Sequence, residues 1–439
     1  MRLRPIEPGL CEPSNLRAPG YVTHCLADKY YLAPHSISKD LLDHLFALLL
    51  IWGICVLKRT GKFICRSSLI TNTRKTRIMG INIEYLLGRE EIILGDDDVR
   101  NLIHNRRILI TGAAGSIGRE LIQRIILFKP SQLCLLDQSE IGIHKLKSVL
   151  KDHPEVKFEL ASITDQIRMA FIFDEQKPQI VFHTAAYKHV SMMECFPYEA
   201  INNNLLGTQI LADLSMEHQT EKFVFVSTDK AVKPLCIMGI TKRLAELYIQ
   251  SLHDNSSNTQ FVITRFGNVL GSTGSVYPIF KNQIERGGPV TITDSEASRY
   301  FMTISEAAQL VTTAAVIGKD GEILVFDMNH PVLILDLAKR MIHSGLNHND
   351  NIEIRFVGLG NGEKLHEDLW NDYEIKLPTS HPKISRIKPD IADFRHIKSQ
   401  ILILRNALKT EKTEELLFIL NGILKKRETH PSFYDNLTH

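Results

Sequence analysis

A strand, a glycine-rich turn and a helix follow one another at residues 108–121, which read ILITGAAGSIGREL. The glycines are Gly112, Gly115 and Gly118. In such a turn the first glycine permits the tight bend, the second lets a pyrophosphate approach the backbone, and the third lets helix pack on strand. The pattern therefore predicts a βα unit that binds a dinucleotide, although the same glycines would also serve merely to close the unit.

An acidic residue at the end of the next strand indicates which dinucleotide is bound. The backbone amides of Ser116 and Ile117, at the start of the helix, are expected to face the anionic pyrophosphate. Asp137 follows Gly118 by 19 residues. A carboxylate at this place holds the ribose 2′-OH of NAD and repels the extra phosphate of NADP. We therefore expect NAD as the cofactor.

Strand and helix patterns continue to alternate after the glycine turn. The runs QLCLLDQ, QIVFHTAA and KFVFVST are apolar almost throughout, which is typical of parallel strands covered on both faces. The sequence predicts an α/β protein with a Rossmann-type doubly wound parallel sheet and a smaller C-terminal α/β region that binds the substrate. The expected order is a poorly defined segment 1–78, the NAD-binding domain 79–265, the substrate region 266–390 interleaved with it, and a helical tail 391–439.

Composition excludes several classes of function. Lys plus Arg number 52 and Asp plus Glu number 50, so the net charge of +2 leaves no basic excess, and no nucleic-acid-reading motif is present. We expect no nucleic-acid partner. The seven cysteines are scattered without a CxxC pair, which favours reduced thiols in the cytosol. The 18 histidines show no metal-ligand spacing such as HExxH, so we expect no metal.

The apolar stretch LLDHLFALLLIWGICVL at residues 41–57 permits two interpretations. As a helix of about 25 Å it approaches the thickness of a bilayer core, and the basic residues after it would keep the rest of the chain in the cytoplasm. The same stretch is compatible with an amphipathic or buried helix. A membrane contact through 41–57 therefore stays open.

Longer motifs carry a resemblance to a known family. The glycine turn is followed by FHTAAYKHVSMMECFPYEA, then NNLLGT, FVFVSTDKAVKPLCIMGITKRLAE and GEKLHEDL. These runs resemble the CapD-like polysaccharide biosynthesis proteins, which are extended short-chain dehydrogenases. The likeness covers roughly residues 80–385. Members with methionine in place of the usual tyrosine are similar to membrane-associated UDP-N-acetylglucosamine 4,6-dehydratases.

The resemblance implies an activity and several site residues. The expected reaction is the NAD-dependent conversion of a UDP-sugar, most of all UDP-N-acetylglucosamine, to a UDP-4-keto-6-deoxy sugar for glycan synthesis. Homo-oligomers are expected, at the cytoplasmic face of a bacterial inner membrane, or in the cytoplasm if 41–57 does not insert. The implied residues are Lys242 at the nicotinamide ribose, Thr184, Ala185 and Ala186 along the cofactor, Asn204 in a structural role, and Asn268, Arg299, Glu363 and the segment 271–278 toward the nucleotide diphosphate.

The segment STDKAVKPLCIMGITK at 227–242 raises the question of the missing tyrosine. Met238 stands four residues before Lys242, where the related dehydrogenases carry a tyrosine, and methionine cannot accept a proton. Our hypothesis is that Lys230 removes the carbon 5 proton and Asp229 protonates the hydroxyl leaving carbon 6. Burial, Lys242 and the cofactor's charge are expected to lower the pKa of Lys230 for this task.

Thr228 is expected to hydrogen-bond the carbon 4 hydroxyl. Three routes stay open for the proton of that hydroxyl: to water, to Asp229, or through Thr228. A solvated turn is the alternative reading of the Asp229–Lys230 pair. We prefer the catalytic reading because ligands of open α/β sheets bind at the carboxyl ends of strands.

Further candidates follow another strand end and a second glycine turn. Lys188 and His189, in TAAYKHV, are expected to face the sugar or its phosphates, with a packed core histidine as the alternative for His189. Ser275 would begin a helix whose amides meet the diphosphate, with a plain loop-to-helix junction as the alternative.

Two rival functions remain. A 4-epimerase would share the fold, the NAD and the oxidation at carbon 4, but would need no acid–base pair for elimination. A catalytically inactive NAD-binding paralogue that serves as an interaction module is suggested by Ser162 and Gly360, which replace residues usual in the family.

Overall fold

A computed structural model describes both backbone and side chains of residues 83–253, 258–344, 351–388 and 393–409, together with residues 416, 418–420 and 422. Only the backbone is described for 56–59, 62–65, 77–78, 81–82 and 410. The chain divides into two compact units, Met1–Arg74 and Lys75–His439.

The described part of the first unit is an antiparallel hairpin, Val56–Arg59 with Lys62–Cys65. Val56 and Leu57 are the last two residues of the apolar stretch expected to form a helix over 41–57, so that expectation is wrong for them. Residues 41–55 lie outside the described part of the chain. Among the described residues, no helix is long and apolar enough to cross a membrane.

A nine-stranded sheet forms the centre of the described part of the second unit. Its strands, in chain order, are β1 (Arg107–Thr111), β2 (Gln132–Asp137), β3 (Val156–Leu160), β4 (Ile180–His183), β5 (Lys222–Thr228), β6 (Gln260–Phe266), β7 (Ile323–Phe326), β8 (Lys376–Pro378) and β9 (Ile384–Ile387).

The spatial order of the sheet is β8-β9-β7-β6-β5-β4-β1-β2-β3. Strands β1 to β7 run parallel, and β9 and β8 close one edge in antiparallel pairing. The parallel part repeats the doubly wound order 3-2-1-4-5-6, whose direction reverses between β1 and β4. The predicted fold class is thereby confirmed.

Helices connect these strands and cover the sheet. They are α1 (Ile83–Leu87), α2 (Asp97–Ile103), α3 (Ser116–Ile126), α4 (Glu140–Val149), α5 (Gln166–Gln176), α6 (Val190–Cys195), α7 (Pro197–Ala200), α8 (Thr208–Glu217), α9 (Ile237–Ser251), α10 (Val276–Glu285), α11 (Ile304–Ile317), α12 (Ile334–Ile342) and α13 (Phe394–Ala407). A π-helical stretch, Ile201–Gly207, joins α7 to α8, and single 3₁₀ turns occupy Asp229–Ala231 and Leu408–Thr410.

The helices form a layer on each face of the sheet. Helices α2, α3 and α11 pack together, and α11 lies against β5 and β6. On the opposite face α9 contacts the same two strands, flanked by α8 and α13, and every residue of α9 is buried. Both faces of the central strands are therefore covered, which is why these strands are apolar without alternation.

A second, smaller hydrophobic core lies beside the main one. It joins apolar residues of α1, α10 and α12, such as Leu86, Phe280 and Leu337. Short strand pairs accompany it: Asn268–Val269 with Phe301–Met302, Val290–Ile292 with Ile354–Phe356, and Ser298–Arg299 with Val332–Leu333. A further pair, Arg77–Ile78 with Ile81–Asn82, precedes α1. The region after residue 266 thus contributes both to this core and, through β7, β8 and β9, to the large sheet.

Candidate active site

A crevice of about 1030 Å³ opens at the carboxyl ends of the parallel strands, where β1, β4, β5 and β6 end. This is the side of an open α/β sheet on which ligands bind, at the point where strand order reverses. Most of the site residues predicted from sequence line it, namely Gly115, Ser116, Ile117, Asp137, Ala186, Lys188, His189, Thr228, Lys230, Met238, Lys242, Asn268 and Ser275.

The glycine turn after β1 is shaped as its spacing predicts. Gly112 has a φ of +67°, and a β-carbon there would lie 2.7 Å from the backbone of Ala185. A β-carbon on Gly118 would lie 2.3 Å from the carbonyl oxygen of Gly112. Gly115 is the N-cap of α3 and leaves the first amides of that helix facing the crevice. The turn therefore brings bare backbone to the place where a pyrophosphate would lie.

Asp137 at the end of β2 is held by the glycine turn itself. Its Oδ2 accepts a hydrogen bond of 2.9 Å from the amide of Ala114, and its Oδ1 accepts one of 2.9 Å from the amide of Ser139. Each carboxylate oxygen keeps a free lone pair after accepting one bond. The carboxylate is thus oriented by backbone and can still accept from ribose hydroxyls.

These features together fit NAD. The crevice lies at the reversal point of the sheet, the turn offers amides at a helix N-terminus, and a half-buried carboxylate stands at the end of the second strand. Ala185 lies against Gly112 beneath the crevice rather than among its lining residues. Thr184 lines it, and its hydroxyl donates to the carbonyl of Thr111 over 2.8 Å.

The end of β5 carries a linked triplet of side chains. The Thr228 hydroxyl donates to Asp229 Oδ1 over 2.8 Å, and Lys230 Nζ donates to the same oxygen over 3.1 Å. Thr228 and Lys230 line the crevice, whereas Asp229 is fully buried behind them. Its other oxygen, Oδ2, is buried without a hydrogen-bond partner. The hydrogen bonds from Thr228 and Lys230 therefore connect the buried carboxylate of Asp229 to the crevice.

Lys230 is surrounded by more negative charge than its sequence position indicates. Nζ lies 3.2 Å from Asn268 Oδ1 and 3.4 Å from Glu367 Oε1. Burial by itself would lower the pKa of Lys230, but the carboxylates of Asp229 and Glu367 prevail and raise it. The expectation of a lowered pKa is therefore wrong, because the adjacent Asp229 and the unforeseen Glu367 together outweigh the effect of burial.

The lowered pKa belongs to Lys242 instead. This lysine lies on α9, almost fully buried, and its Nζ donates to the carbonyl of Val226 over 2.7 Å and sits 3.8 Å from the centre of the Phe225 ring. Burial lowers the pKa of Lys242 to about 7, although Glu246 opposes the effect. Met238, one turn earlier on α9, is buried and lines the crevice in the place expected for a tyrosine.

The segment after β4 is clamped by an asparagine of the π-helical stretch. Asn204 accepts from the amide of Tyr187 over 2.8 Å and donates to its carbonyl over 2.9 Å. This places Lys188 and His189 at the crevice, where Lys188 Nζ donates to the hydroxyl of Ser272 over 3.2 Å. Burial lowers the pKa of Lys188, and burial together with Lys188 lowers the pKa of His189. Asn204 thus has the structural role that the resemblance implied.

The glycine-containing loop 271–275 spans from the substrate side to the glycine turn of β1. The amide of Thr273 donates to Ser116 Oγ over 3.0 Å, and Gly274 leaves room for the ring of His189. Ser275 is the N-cap of α10, and its hydroxyl is buried without a hydrogen-bond partner. A second helix N-terminus therefore faces the crevice beside the first.

Arg299 and Glu363, which were predicted to contact the nucleotide diphosphate of the substrate, do not lie at the crevice. Arg299 is buried and donates to the carbonyls of Ser298 and Leu365 and, over 3.0 Å, to Glu363 Oε1. Neither Arg299 nor Glu363 is among the residues that line the crevice. In this structure they pair with each other, so the expectation that both face the diphosphate does not hold here.

Sequence reasoning missed Glu367 as a site residue. It lies in the run GEKLHEDL, where nothing in the spacing relates it to Lys230, and only the fold brings the two side chains within 3.4 Å. A buried carboxylate beside an ammonium is a tertiary feature without a local sequence signal. Among the residues whose side chains are described, no group of three or more His, Cys, Asp or Glu is placed to hold a metal ion.

Comparison with known proteins assigns the family. The model of the polysaccharide biosynthesis protein family matches residues 108–389, and the chain belongs to that family.

Two curated relatives and one solved structure illustrate the range of similar proteins. The capsular polysaccharide biosynthesis protein CapD of Staphylococcus aureus is 44% identical over 78% of this chain, which spans 57% of CapD. The chain thus covers little more than half the length of that relative. A UDP-glucose 4-epimerase of Rickettsia rickettsii is 30% identical over 73% of this chain and 97% of its own length. The X-ray structure of Pen from Bacillus thuringiensis superimposes with a TM-score of 0.61 and 32% identity, covering 66% of this chain and 90% of Pen.

Proposed function

We propose that this protein is an NAD-dependent nucleotide-sugar 4,6-dehydratase that acts on a UDP-sugar, with UDP-N-acetylglucosamine as the preferred substrate. The product would be a UDP-4-keto-6-deoxy sugar for polysaccharide or glycan biosynthesis. Membership of the polysaccharide biosynthesis family supports the setting, and the dinucleotide-shaped crevice supports the cofactor.

One observation supports dehydration above all: a carboxylate and an amine share a hydrogen bond at the crevice, and a threonine hydroxyl links the carboxylate to the open space. Elimination of water requires a base that removes the proton from carbon 5 and an acid that protonates the hydroxyl leaving carbon 6. Oxidation alone requires only a proton acceptor.

The hydrogen bond from Thr228 to Asp229 favours one of the three routes for the carbon 4 proton. The threonine oxygen accepts the proton of the sugar hydroxyl while its own proton passes to Asp229 Oδ1, over a distance of 2.8 Å. The tyrosine of the related dehydrogenases is then dispensable, and Met238 fills its place as apolar packing.

The remaining proton transfers of the proposed reaction are shared between Lys230 and Asp229. Lys230, as a free amine, takes the proton from carbon 5, and Asp229 gives the proton it received to the hydroxyl that leaves carbon 6 as water. Lys230 then returns its proton to carbon 5. The cycle begins and ends with an ionised Asp229 and a neutral Lys230, so the protein needs no net proton from solvent. NAD⁺, when bound, takes the hydride from carbon 4 and supplies it again to carbon 6.

Other residues are assigned to binding. Gly112, Gly115 and Gly118, with the amides of Ser116 and Ile117, would hold the NAD pyrophosphate, and Asp137 would hold a ribose. Lys242 would contact the nicotinamide ribose. Lys188, His189 and Asn268 line the sugar side of the crevice, and the hydroxyl of Ser275 lacks a partner that a phosphate oxygen would supply.

A 4-epimerase is the second candidate. The observation that favours it is the Rickettsia relative named UDP-glucose 4-epimerase, which this chain covers over 97% of its length. An epimerase would use the same crevice and cofactor and would return the hydride to carbon 4.

Mass spectrometry of the nucleotide sugar after incubation with UDP-N-acetylglucosamine and NAD⁺ tests the proposal. Loss of one water is the expected result. An unchanged mass with conversion to UDP-N-acetylgalactosamine would identify the epimerase instead. An unchanged substrate, with UDP-glucose and UDP-N-acetylgalactosamine equally untouched, would favour the inactive paralogue.

We further propose that the protein forms homo-oligomers and contacts the cytoplasmic face of a bacterial inner membrane through 41–57. Light scattering of the purified protein tests the first statement. Fractionation of cells that express the full chain tests the second, since recovery in the supernatant after ultracentrifugation would place the protein in the cytoplasm.

A further inference from the structure

We propose that Glu367 is a positioning residue of the active site: it anchors the amine of Lys230 from a second side chain and sets the pH at which that amine becomes free to accept a proton. This inference rests on the proposed function for its catalytic meaning. The pairing of Glu367 with Lys230 does not depend on which reaction the protein catalyses.

The carboxylate of Glu367 is buried between two lysines. Its side chain is 3% exposed, its Oε1 lies 3.4 Å from Lys230 Nζ, and its Oε2 lies 3.4 Å from Lys364 Nζ. A buried charge is stable only when paired charges compensate for its lost hydration. Glu367 therefore forms ion pairs with both Lys230 and Lys364, and Lys230 gains a second carboxylate in return.

The segment that carries Glu367 is docked on the loop after β5 by contacts that do not involve Lys230. Asn371 Oδ1 accepts from the amide of Lys233 over 3.0 Å, and Lys364 Nζ donates to the carbonyl of Val232 over 2.7 Å. Gly362 packs so closely that a β-carbon there would lie 2.7 Å from Cys236 Cβ. Contacts of Asn371, Lys364 and Gly362 thus hold this segment in addition to Glu367 itself, so replacing the charge of Glu367 should leave the segment in place.

Four groups decide the charge state of Lys230. Asp229 and Glu367 favour the ammonium form, Arg299 opposes it, and the amide oxygen of Asn268 accepts from Nζ without contributing a net charge. Burial alone would lower the pKa of Lys230, and the two carboxylates together outweigh that effect and raise it. Asp229 also takes part in the proton transfers, whereas Glu367 is outside the crevice lining and carries no such duty.

The consequence for catalysis has a definite sign. An amine acts as a general base only in its unprotonated, neutral form, so a lysine with a raised pKa acts only at higher pH, and activity should rise as pH rises through that pKa. Removing the Glu367 charge should move this rise to lower pH. Opposite charges within about 4–6 Å shift a pKa by about 1–3 units, so the displacement should be on the order of one pH unit.

The test compares E367Q with the wild-type protein by two readouts. The first is the pH dependence of labelling of Lys230 by an amine-reactive reagent, measured by mass spectrometry of its peptide, because only the free amine reacts. The second is the pH profile of kcat and kcat/KM with UDP-N-acetylglucosamine. We expect both profiles of E367Q to shift to lower pH by about one unit. E367D, which keeps the charge farther from Nζ, should shift less.

D372N is the matched control, since Asp372 lies in the same segment, is 87% exposed and pairs with Lys233. Its labelling profile should equal that of the wild type. An unshifted labelling profile in folded E367Q would overturn the proposal, and if E367Q fails to fold, an unshifted profile of E367D would do so. A shifted labelling profile without turnover of any UDP-sugar would keep the anchoring role and reject the proposed function.

Discussion

At the scale of single residues, the question is how the protein manages without a tyrosine on α9. Thr228 stands in the crevice with its hydroxyl already directed to a buried carboxylate. A hydroxyl that donates to an anion is a better acceptor on its oxygen, because hydrogen bonds in a chain polarise one another. In the proposed mechanism the proton acceptor therefore lies at the strand end rather than on the helix.

Replacing Thr228 tests this relay. T228V keeps the shape and removes the hydroxyl, and we expect turnover to fall by about 100- to 10,000-fold. T228S retains the hydroxyl and should stay within about tenfold of the wild type, which corresponds to an activation barrier higher by at most about 1.4 kcal/mol. Steady-state kinetics of dehydration is the measurement, and a T228V variant with wild-type turnover would exclude the relay.

Lys230 is tested by truncation. K230A removes the proposed base, so kcat should fall by about 100- to 10,000-fold, while the affinity for NAD should change little because the glycine turn and Asp137 are untouched. Single-turnover kinetics and a fluorescence titration with NADH separate the two effects. Near-full activity of K230A would remove this lysine from the mechanism.

At the scale of elements, the segments that follow β1 and β4 are fixed in different ways. The turn after β1 works only because three glycines leave space, whereas the segment after β4 is held by the side chain of Asn204. The π-helical stretch Ile201–Gly207 carries this asparagine, and insertions of this kind are frequent at functional sites. Each element thus contributes geometry as well as residues.

Gly118 gives the element-scale prediction. In G118A the new methyl group would meet the carbonyl of Gly112 at 2.3 Å, so α3 must move away from β1, at a cost of about 1–3 kcal/mol for overpacking. We expect weaker NADH binding together with lower stability. G95A is the control, because a β-carbon on Gly95 meets nothing within 4 Å. Equal NADH affinity in the two variants would contradict the close-packing role.

At the scale of the whole molecule, a buried ion-pair network joins the sheet to the C-terminal segment. Arg265 on β6 is fully buried and donates to Glu246 of α9 over 2.7 Å and to Glu374 over 2.8 Å. Arg243 of α9 lies within 3.6 Å of Glu374 as well. The segment that carries Glu367 is therefore also fixed at Glu374, through ion pairs with Arg265 of β6 and Arg243 of α9.

Glu374 makes that anchor sensitive to pH. Burial alone would raise the pKa of Glu374, but the Arg265 and Arg243 guanidinium groups lower it to about 2. Because the folded value lies below the ordinary one of 4.5, its contribution to stability is complete above about pH 5 and is lost as pH falls toward 2.

E374Q should therefore destabilise the protein by about 3–5 kcal/mol at neutral pH, since it leaves Arg265 partly uncompensated. The difference from the wild type should shrink as pH falls from 5 to 2. Urea unfolding at several pH values measures both. E353Q, which removes an exposed pair with Arg355, should cost about 0–1 kcal/mol. A similar cost for both variants would contradict the structural role of the network.

Local sequence was sufficient for the parts of the site that depend on local geometry. The glycine spacing, the acid at the end of β2 and the polar residues at strand ends predicted the crevice and most of its lining, because a parallel sheet brings the carboxyl ends of its strands to one edge whatever the connections are. The placement of Lys188 and Thr228 follows from that rule, whereas Lys242 reaches the crevice from α9.

Only the tertiary structure decided what depends on distant segments meeting. The pairing of Arg299 with Glu363 and the presence of Glu367 beside Lys230 depend on where the C-terminal segment lies, and the burial of Asp229 depends on the packing around the end of β5. The charge state of Lys230 is the clearest case: burial was expected to lower its pKa, but the carboxylates of Asp229 and of Glu367, which lies 137 positions further along the chain, together raise it. Coulomb interactions act across space, and sequence distance carries no information about them.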